Sequence, residues 1–87
     1  MNKFIKIVTR SKFVKERLIN ISDVKEIITE IKQCNGERYL YLLFNISDNH
    51  ILECKLKHGD SNIMSIITEF LENDDTVLDI TRYLNLD

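Results

Sequence analysis

The residues best suited to chemistry lie in the segment HILECKLKH, where His50, Cys54 and His58 follow one another at intervals of four. Imidazole and thiolate groups bind zinc, and on a helix this spacing would align all three side chains. The surrounding sequence instead predicts a strand, on which neighbouring members of the set are ~13 Å apart. One ion with bonds of about 2 Å cannot bind ligands so far apart. We therefore expect no metal site and no cofactor, and interpret the three residues as structural.

Other reactive groups match no catalytic motif. Cys34 and Cys54 are too widely separated in the predicted strands for a disulfide, so both are expected to be free thiols, as in a reducing compartment. Gly36 and Gly59 do not form a glycine-rich phosphate loop, and no serine or cysteine nucleophile lies in a recognisable motif. We therefore expect no catalytic residue and predict that the protein is not an enzyme.

The composition is that of a single small globular domain over residues 1–87. Hydrophobic residues make up 44% of the chain and charged residues 30%, proportions that exclude a disordered or fibrous protein. No uncharged run approaches the ~18 apolar residues of a membrane span, and lysines interrupt any signal-peptide core near the N-terminus. We therefore expect a cytoplasmic protein with no membrane partner.

Residue usage also indicates the type of source. The chain contains no Ala, Pro or Trp, whereas Ile, Asn and Lys together supply 29 of its 87 residues. Codons for Ile, Asn and Lys are AT-rich, while those for Ala, Pro and Gly are GC-rich. The sequence thus indicates a low-GC bacterium, or a phage or other mobile element that lives in one.

The central part of the chain predicts an antiparallel sheet. The segment SDVKEIITEIKQC, residues 22–34, fits either a helix or a strand by its periodicity. The Asn35-Gly36 pair that follows favours the strand, because a tight type I′ turn needs positive φ at both positions. A tight turn pairs residues whose numbers sum to about 71, and the next turn pairs residues whose numbers sum to about 96. Both registers place Leu42 and Phe44 on one apolar face.

An amphipathic helix is predicted to cover that face. After Gly59, five apolar side chains recur at helical spacing: Ile63, Ile66, Ile67, Phe70 and Leu71. This helix is expected to bury a set of sheet residues: Ile27, Ile31, Leu40, Leu42, Phe44, Leu52 and Leu56. An N-terminal strand, FIKIVTR, is expected to pair with the segment KFVKERLINI, whereas residues 76–87 fit either a short helix or an edge strand.

These elements predict an α+β fold. It consists of a small antiparallel sheet of about four to five strands, in an order that the sequence does not determine. One amphipathic helix near the C-terminus packs on one face of that sheet. The other face is left for a partner or for the terminal segments of the chain.

That other face carries tyrosines among charged residues. Tyr39 and Tyr41 are its aromatic members, and we assign Glu30, Lys32 and Lys55 to the same partner-binding site. Aromatic anchors inside a charged rim are typical of protein interfaces. The same face would be ordinary core if terminal segments folded over it. We hypothesise a non-enzymatic interaction module from a phage or mobile element, which binds and modulates a host protein or forms a homodimer.

An uneven charge distribution supports an alternative function. The net charge is only −2, yet residues 1–17 carry six Lys or Arg against one Glu, and residues 69–87 carry six acids against one Arg. Basic strands with nearby aromatic residues bind phosphates and stack bases. The alternative is therefore a nucleic-acid-binding regulator that uses the N-terminal basic residues Lys3, Lys6, Arg10, Lys12, Lys15 and Arg17.

Overall fold

The computed structural model describes residues 2–10, 12–47, 49–57 and 62–86. Over these residues the chain forms six strands, one α-helix and two short 3₁₀ helices. The elements are β1 (Phe4–Arg10), β2 (Val14–Asn20), a 3₁₀ helix (Ile21–Asp23), β3 (Glu26–Cys34), β4 (Glu37–Ser47), β5 (His50–Lys55), α1 (Ile63–Glu72), β6 (Val77–Asp79) and a 3₁₀ helix (Thr81–Tyr83). The predicted α+β class is confirmed, with six strands in two three-stranded sheets.

The first sheet is built around β1, in the order β2-β1-β6. Ile5 and Ile7 of β1 are fully buried, whereas Lys6 between them is half-buried, as the alternating sequence predicts. β2 pairs with β1 in the antiparallel direction, and Ile19 lies opposite Ile5. Part of the C-terminal segment forms the edge strand β6, which runs parallel to β1 with Leu78 beside Ile5.

The second sheet has the order β3-β4-β5, and its registers are those predicted. Ile31 lies opposite Leu40, so β3 and β4 pair residues whose numbers sum to 71. Leu42 lies opposite Cys54, so β4 and β5 follow the sum of 96. The pairing shifts by one residue just before the second turn, where Ser47 lies opposite His50. The strand interpretation of the segment before Asn35 is confirmed.

The turn between β3 and β4 has the backbone that its sequence predicts. Asn35 has a φ of 52° and Gly36 a φ of 81°, the left-handed values that a type I′ turn requires. Apart from Gly36 and its two neighbours in the chain, no described residue has an atom within 4 Å of the position that a Cβ on Gly36 would occupy. The need for glycine at this position therefore comes from its φ and not from crowding.

The core is formed jointly by both sheets, α1 and the C-terminal segment. Its buried members are Ile5, Ile7, Ile19, Leu42, Phe44, Cys54, Leu56, Ile63, Ile67, Phe70, Ile80 and Leu84. The predicted helical stripe supplies Ile63, Ile67 and Phe70, whereas Leu71 at its margin is exposed. Each fully buried side chain of this size contributes roughly 1.5–3 kcal/mol before chain entropy is subtracted.

One predicted core residue is placed differently. Leu42 and Phe44 are fully buried, but Ile31 on the same face is 65% exposed, so its assignment to the core is wrong. The reason is the position of α1, because Ile67 of the helix packs near Ile27, four residues before Ile31. The half of the hairpin nearest the turn extends past the helix.

The C-terminal segment links the two sheets. After β6, the amide of Asn85 donates to the carbonyl of Lys55 at 2.8 Å, and Leu84 forms an antiparallel bridge with Leu56. This stretch of chain thus lies along the outer side of β5. The outer strands of the first sheet are β2 and the three-residue β6, and β3 is the outer strand of the second sheet that this stretch does not cover. Within the described residues no strand pairs with the outer side of β2 or of β3.

Candidate functional site

The residues predicted to bind a partner lie together on the outer face of the second sheet. Pairing places their side chains on the face opposite Leu42 and Phe44 of β4. We call this surface the tyrosine face, and define it by the outward residues of β3, β4 and β5: Ile28, Glu30, Lys32, Tyr39, Tyr41, Leu43, Ile51, Glu53 and Lys55. All five predicted partner-binding residues belong to it.

Long basic side chains lie over both tyrosine rings. Lys55 Nζ is 3.7 Å from the centroid of the Tyr39 ring, and Lys32 Nζ is 4.9 Å from the centroid of the Tyr41 ring. Such cation–π contacts are worth about 0.5–1 kcal/mol at exposed sites. The Tyr39 hydroxyl also donates a hydrogen bond to a carboxylate oxygen of Glu37. These contacts hold both rings in defined positions.

An ion pair crosses the central strand of the face. Lys32 Nζ lies 2.8 Å from a carboxylate oxygen of Glu53, which joins β3 to β5 over β4. This hydrogen bond raises the pKa of Lys32 above its ordinary value. Both side chains are exposed, so the pair adds little to stability. Its consequence is geometric, because it fixes the lysine beside Tyr41.

The tyrosine face is accessible along its margins. Ile28 and Ile51 are exposed large hydrophobic residues at its two sides, and Tyr39 and Tyr41 between them are half-buried. Leu43 alone of its nine members is buried. The face therefore combines positioned aromatic rings with exposed apolar edges.

A groove that sequence analysis missed lies next to Tyr41. Its walls include Arg10 from β1, Leu86 from the C-terminal segment and Cys54 from β5. Burial raises the pKa of the Cys54 thiol to about 11, so the thiol is protonated at neutral pH and is a poor nucleophile. No local pattern could have revealed this groove, because its walls come from distant parts of the chain.

The residues considered for a metal site give no cluster in the described part of the chain. His50 is exposed at the start of β5, Cys54 is a buried free thiol, and His58 lies outside the described residues. Among the described residues, no three His, Cys, Asp or Glu side chains are arranged to hold one ion. The side chain of Cys34 also lies outside the described part of the structure.

Lys3, the first residue of the predicted nucleic-acid site, has structural partners. Its Nζ donates to the carbonyl oxygens of Phe70 at 2.9 Å, Asn73 at 2.7 Å and Asp75 at 2.6 Å. These carbonyls lie at and beyond the C-terminal end of α1, where a positive charge is favourable. Lys3 therefore connects the helix end to the start of β1.

The remaining basic residues of that site are divided between surfaces. Lys6 and Arg10 lie on one face of the first sheet, whereas Lys15 and Arg17 lie on the other, because the paired strands alternate in step. Lys12 is exposed in the connection between β1 and β2. The structure thus does not bring the six basic residues into one patch.

The chain as a whole was also compared with known proteins. The described residues contain no helix of the length and hydrophobicity needed to cross a membrane. Comparison with models of protein families, with curated proteins and with solved structures finds no match for this chain.

Proposed function

We propose that this protein is a small, non-enzymatic protein-binding module that engages another protein through the tyrosine face. The observation that carries the proposal is the ordering of Tyr39 and Tyr41 by lysines on an accessible surface. Side chains that are already ordered lose little further entropy when a partner docks on them. Tyrosine is also among the residues that contribute most to protein interfaces.

The charges of the tyrosine face favour a protein partner over a nucleic acid. Glu30 and Glu53 balance Lys32 and Lys55, so the face has no net positive charge to attract phosphates. A mixed-charge rim around aromatic residues suits the polar rim of a protein interface. The AT-rich residue usage extends the proposal to a phage or mobile-element protein that modulates a host protein in a bacterial cytoplasm.

The experiment compares capture of host proteins by three chains. The first is unmodified, the second carries Tyr39→Ala and Tyr41→Ala, and the third carries Phe13→Ala as a control. Phe13 is an exposed aromatic residue that precedes β2 of the other sheet. We expect the unmodified and control chains to retain the same protein and the double variant to lose it.

Calorimetry with the purified partner then measures the effect. We expect the dissociation constant to rise about tenfold or more for the double variant, because truncating an anchor costs over ~1 kcal/mol. Circular dichroism should show that the double variant keeps its fold. A folded double variant with unchanged affinity for the same partner would overturn the proposal.

A further inference from the structure

The hydrogen bonds of β4 determine which backbone groups β3 turns outward. The amide of Leu56 donates to the carbonyl of Leu40 at 2.9 Å, so even-numbered residues of β4 bond to β5. Backbone groups alternate in an antiparallel strand, so Tyr41 bonds to β3, and Glu30 opposite it bonds back to β4. The β3 residues whose amides and carbonyls point away from the sheet are therefore Ile27, Thr29, Ile31 and Gln33.

This outer side of β3 is an open edge. In the part of the chain that the structure describes, no strand pairs with it. Ile27 at the beginning of the strand packs against the core beside α1, whereas Ile31 is 65% exposed. An unpaired edge with an exposed aliphatic side chain is a template for one more strand.

The charges of β3 make this edge complementary to itself. In an antiparallel pair with a two-fold axis at Ile31, residues whose numbers sum to about 62 face each other. Glu30 then lies opposite Lys32 of the second copy, and Lys32 lies opposite Glu30, which gives two favourable pairs. Ile31 meets its own counterpart on the axis, so that its exposed surface is covered.

Neighbouring registers are less favourable. An axis at Glu30 would place two carboxylates directly opposite each other, and an axis at Lys32 would oppose two ammonium groups. An axis at Thr29 would move the second copy towards Ile27, where α1 lies beside the strand. The charges and the position of the helix together select the axis at Ile31.

The long outer strand of the first sheet, β2, lacks this complementarity, and the outer strand β6 has only three residues. β1 bonds to β6 through its even-numbered residues, so its odd-numbered residues bond to β2. The backbone groups of Val14, Glu16 and Leu18 in β2 therefore point outward. A two-fold axis at Lys15, Glu16 or Arg17, in the middle of this strand, would bring like charges together. An axis at Leu18 would set Arg17 opposite Ile19 and would give no favourable charge pair. Self-association is thus expected at β3 and not at β2.

We propose that the protein forms a two-fold symmetric homodimer by antiparallel pairing of β3 with β3 of a second copy, with the axis at Ile31. The β3-β4-β5 sheets of the two copies then form one continuous six-stranded sheet. Both tyrosine faces lie on the same side of this sheet. Lys32 keeps its bond to Glu53, because an ammonium group has three donors. Since each copy contributes one strand, we expect a weak dimer, of the class that buries less than ~1,200 Å².

The dimer edge shares Glu30 and Lys32 with the tyrosine face but does not use its aromatic rings. It uses the backbone of β3 and its charged neighbours, whereas the binding role uses the rings of Tyr39 and Tyr41. The double variant of these tyrosines should therefore still dimerise. Loss of one property without the other shows which of the two proposals has failed.

Charge reversal tests the dimer most specifically. Glu30→Lys and Lys32→Glu each oppose like charges across the axis, so either variant alone should be monomeric. A mixture of the two should form a heterodimer, because every cross-strand pair is then Lys against Glu. Sedimentation velocity should show the mass of the unmodified chain rising from 10.3 kDa towards twice that value with concentration. A mixture in which both variants stay monomeric would overturn the proposal.

Proline substitutions provide the matched control. Ile31→Pro and Leu18→Pro each remove one outward N–H from an edge strand, at positions that are 65% and 62% exposed. We expect Ile31→Pro to remain monomeric at every concentration and Leu18→Pro to dimerise like the unmodified chain. Dimerisation of a folded Ile31→Pro variant at unchanged strength would contradict the assignment to β3, as would an unmodified chain that stays monomeric.

Discussion

The outer strands β2 and β3 share most of their physical features. Each pairs with one neighbouring strand and turns every second backbone group outward. In each, the outward set includes an exposed aliphatic residue, Leu18 in one and Ile31 in the other. They differ in the order of their charges, because β2 places basic residues on both sides of its acid, whereas Glu30 and Lys32 flank Ile31. The comparison teaches that backbone geometry makes an edge available, while charge order decides what pairs with it.

In the proposed dimer, the basic residues of β2 would also act against open-ended assembly. Lysine on an edge strand is a common means of preventing unwanted pairing. Lys15 and Arg17 would face like charges in the registers centred on the strand. With β3 pairing to its own copy and β2 repelling its own copy, the proposed association would stop at two copies.

The largest effect on stability is expected from a substitution in the core that both sheets share. Ile67 in α1 is 2% exposed and lies in the core that both sheets share. Ile67→Asp places an unpaired carboxylate there, a cost of several kcal/mol that a domain with a stability of about 5–10 kcal/mol cannot easily absorb. We expect the variant to be unfolded by circular dichroism. An unchanged thermal midpoint would show that α1 does not pack as described.

A smaller effect on stability is expected from a change in the turn that joins β3 to β4. Gly36→Val places a β-branched residue at a φ of 81° and should cost about 1–3 kcal/mol in the free energy of unfolding. Asn49→Asp, in the turn between β4 and β5, should change that free energy by less than ~0.5 kcal/mol. Denaturant unfolding measures both. Equal costs for the two variants would contradict the type I′ geometry.

The smallest effect on stability is expected from a substitution of Lys3, which precedes β1. Lys3→Met keeps the apolar stem near the Phe70 ring but removes three hydrogen bonds to the end of α1. We expect a loss of about 1 kcal/mol in the free energy of unfolding, since the group is partly exposed. Lys12→Met, at an exposed position, should have almost no effect. A Lys3→Met variant as stable as its control would rule out the structural role of Lys3.

The sequence predicted the parts of the fold that local chemistry specifies. Asn35 and Gly36 identify their turn because few residues adopt positive φ. Given this turn, the alternation of side chains along β4 determines both registers of the second sheet. A slip by one residue would exchange the core face and the solvent face. The tyrosine face could be predicted for the same reason.

Features that depend on distant contacts could not be predicted. The parallel pairing of β1 with β6 brings together segments from the two ends of the chain. The sequence of neither strand indicates the other as its partner. Ile31 fits a core position by parity, but its exposure depends on where α1 comes to lie. In the sequence, Lys3 is one of several basic residues near the N-terminus. Only the fold places the end of α1 beside its Nζ.

Amide hydrogen exchange of the unmodified chain tests the central claim, that β3 and not β2 is the self-associating edge. Residue-resolved NMR would record exchange rates at low and high protein concentration. We predict that exchange slows with concentration at three outward amides of β3, those of Thr29, Ile31 and Gln33. Exchange should be independent of concentration at the outward amides of β2, Val14, Glu16 and Leu18. Concentration-independent exchange in β3, or equal slowing in both strands, would contradict the account.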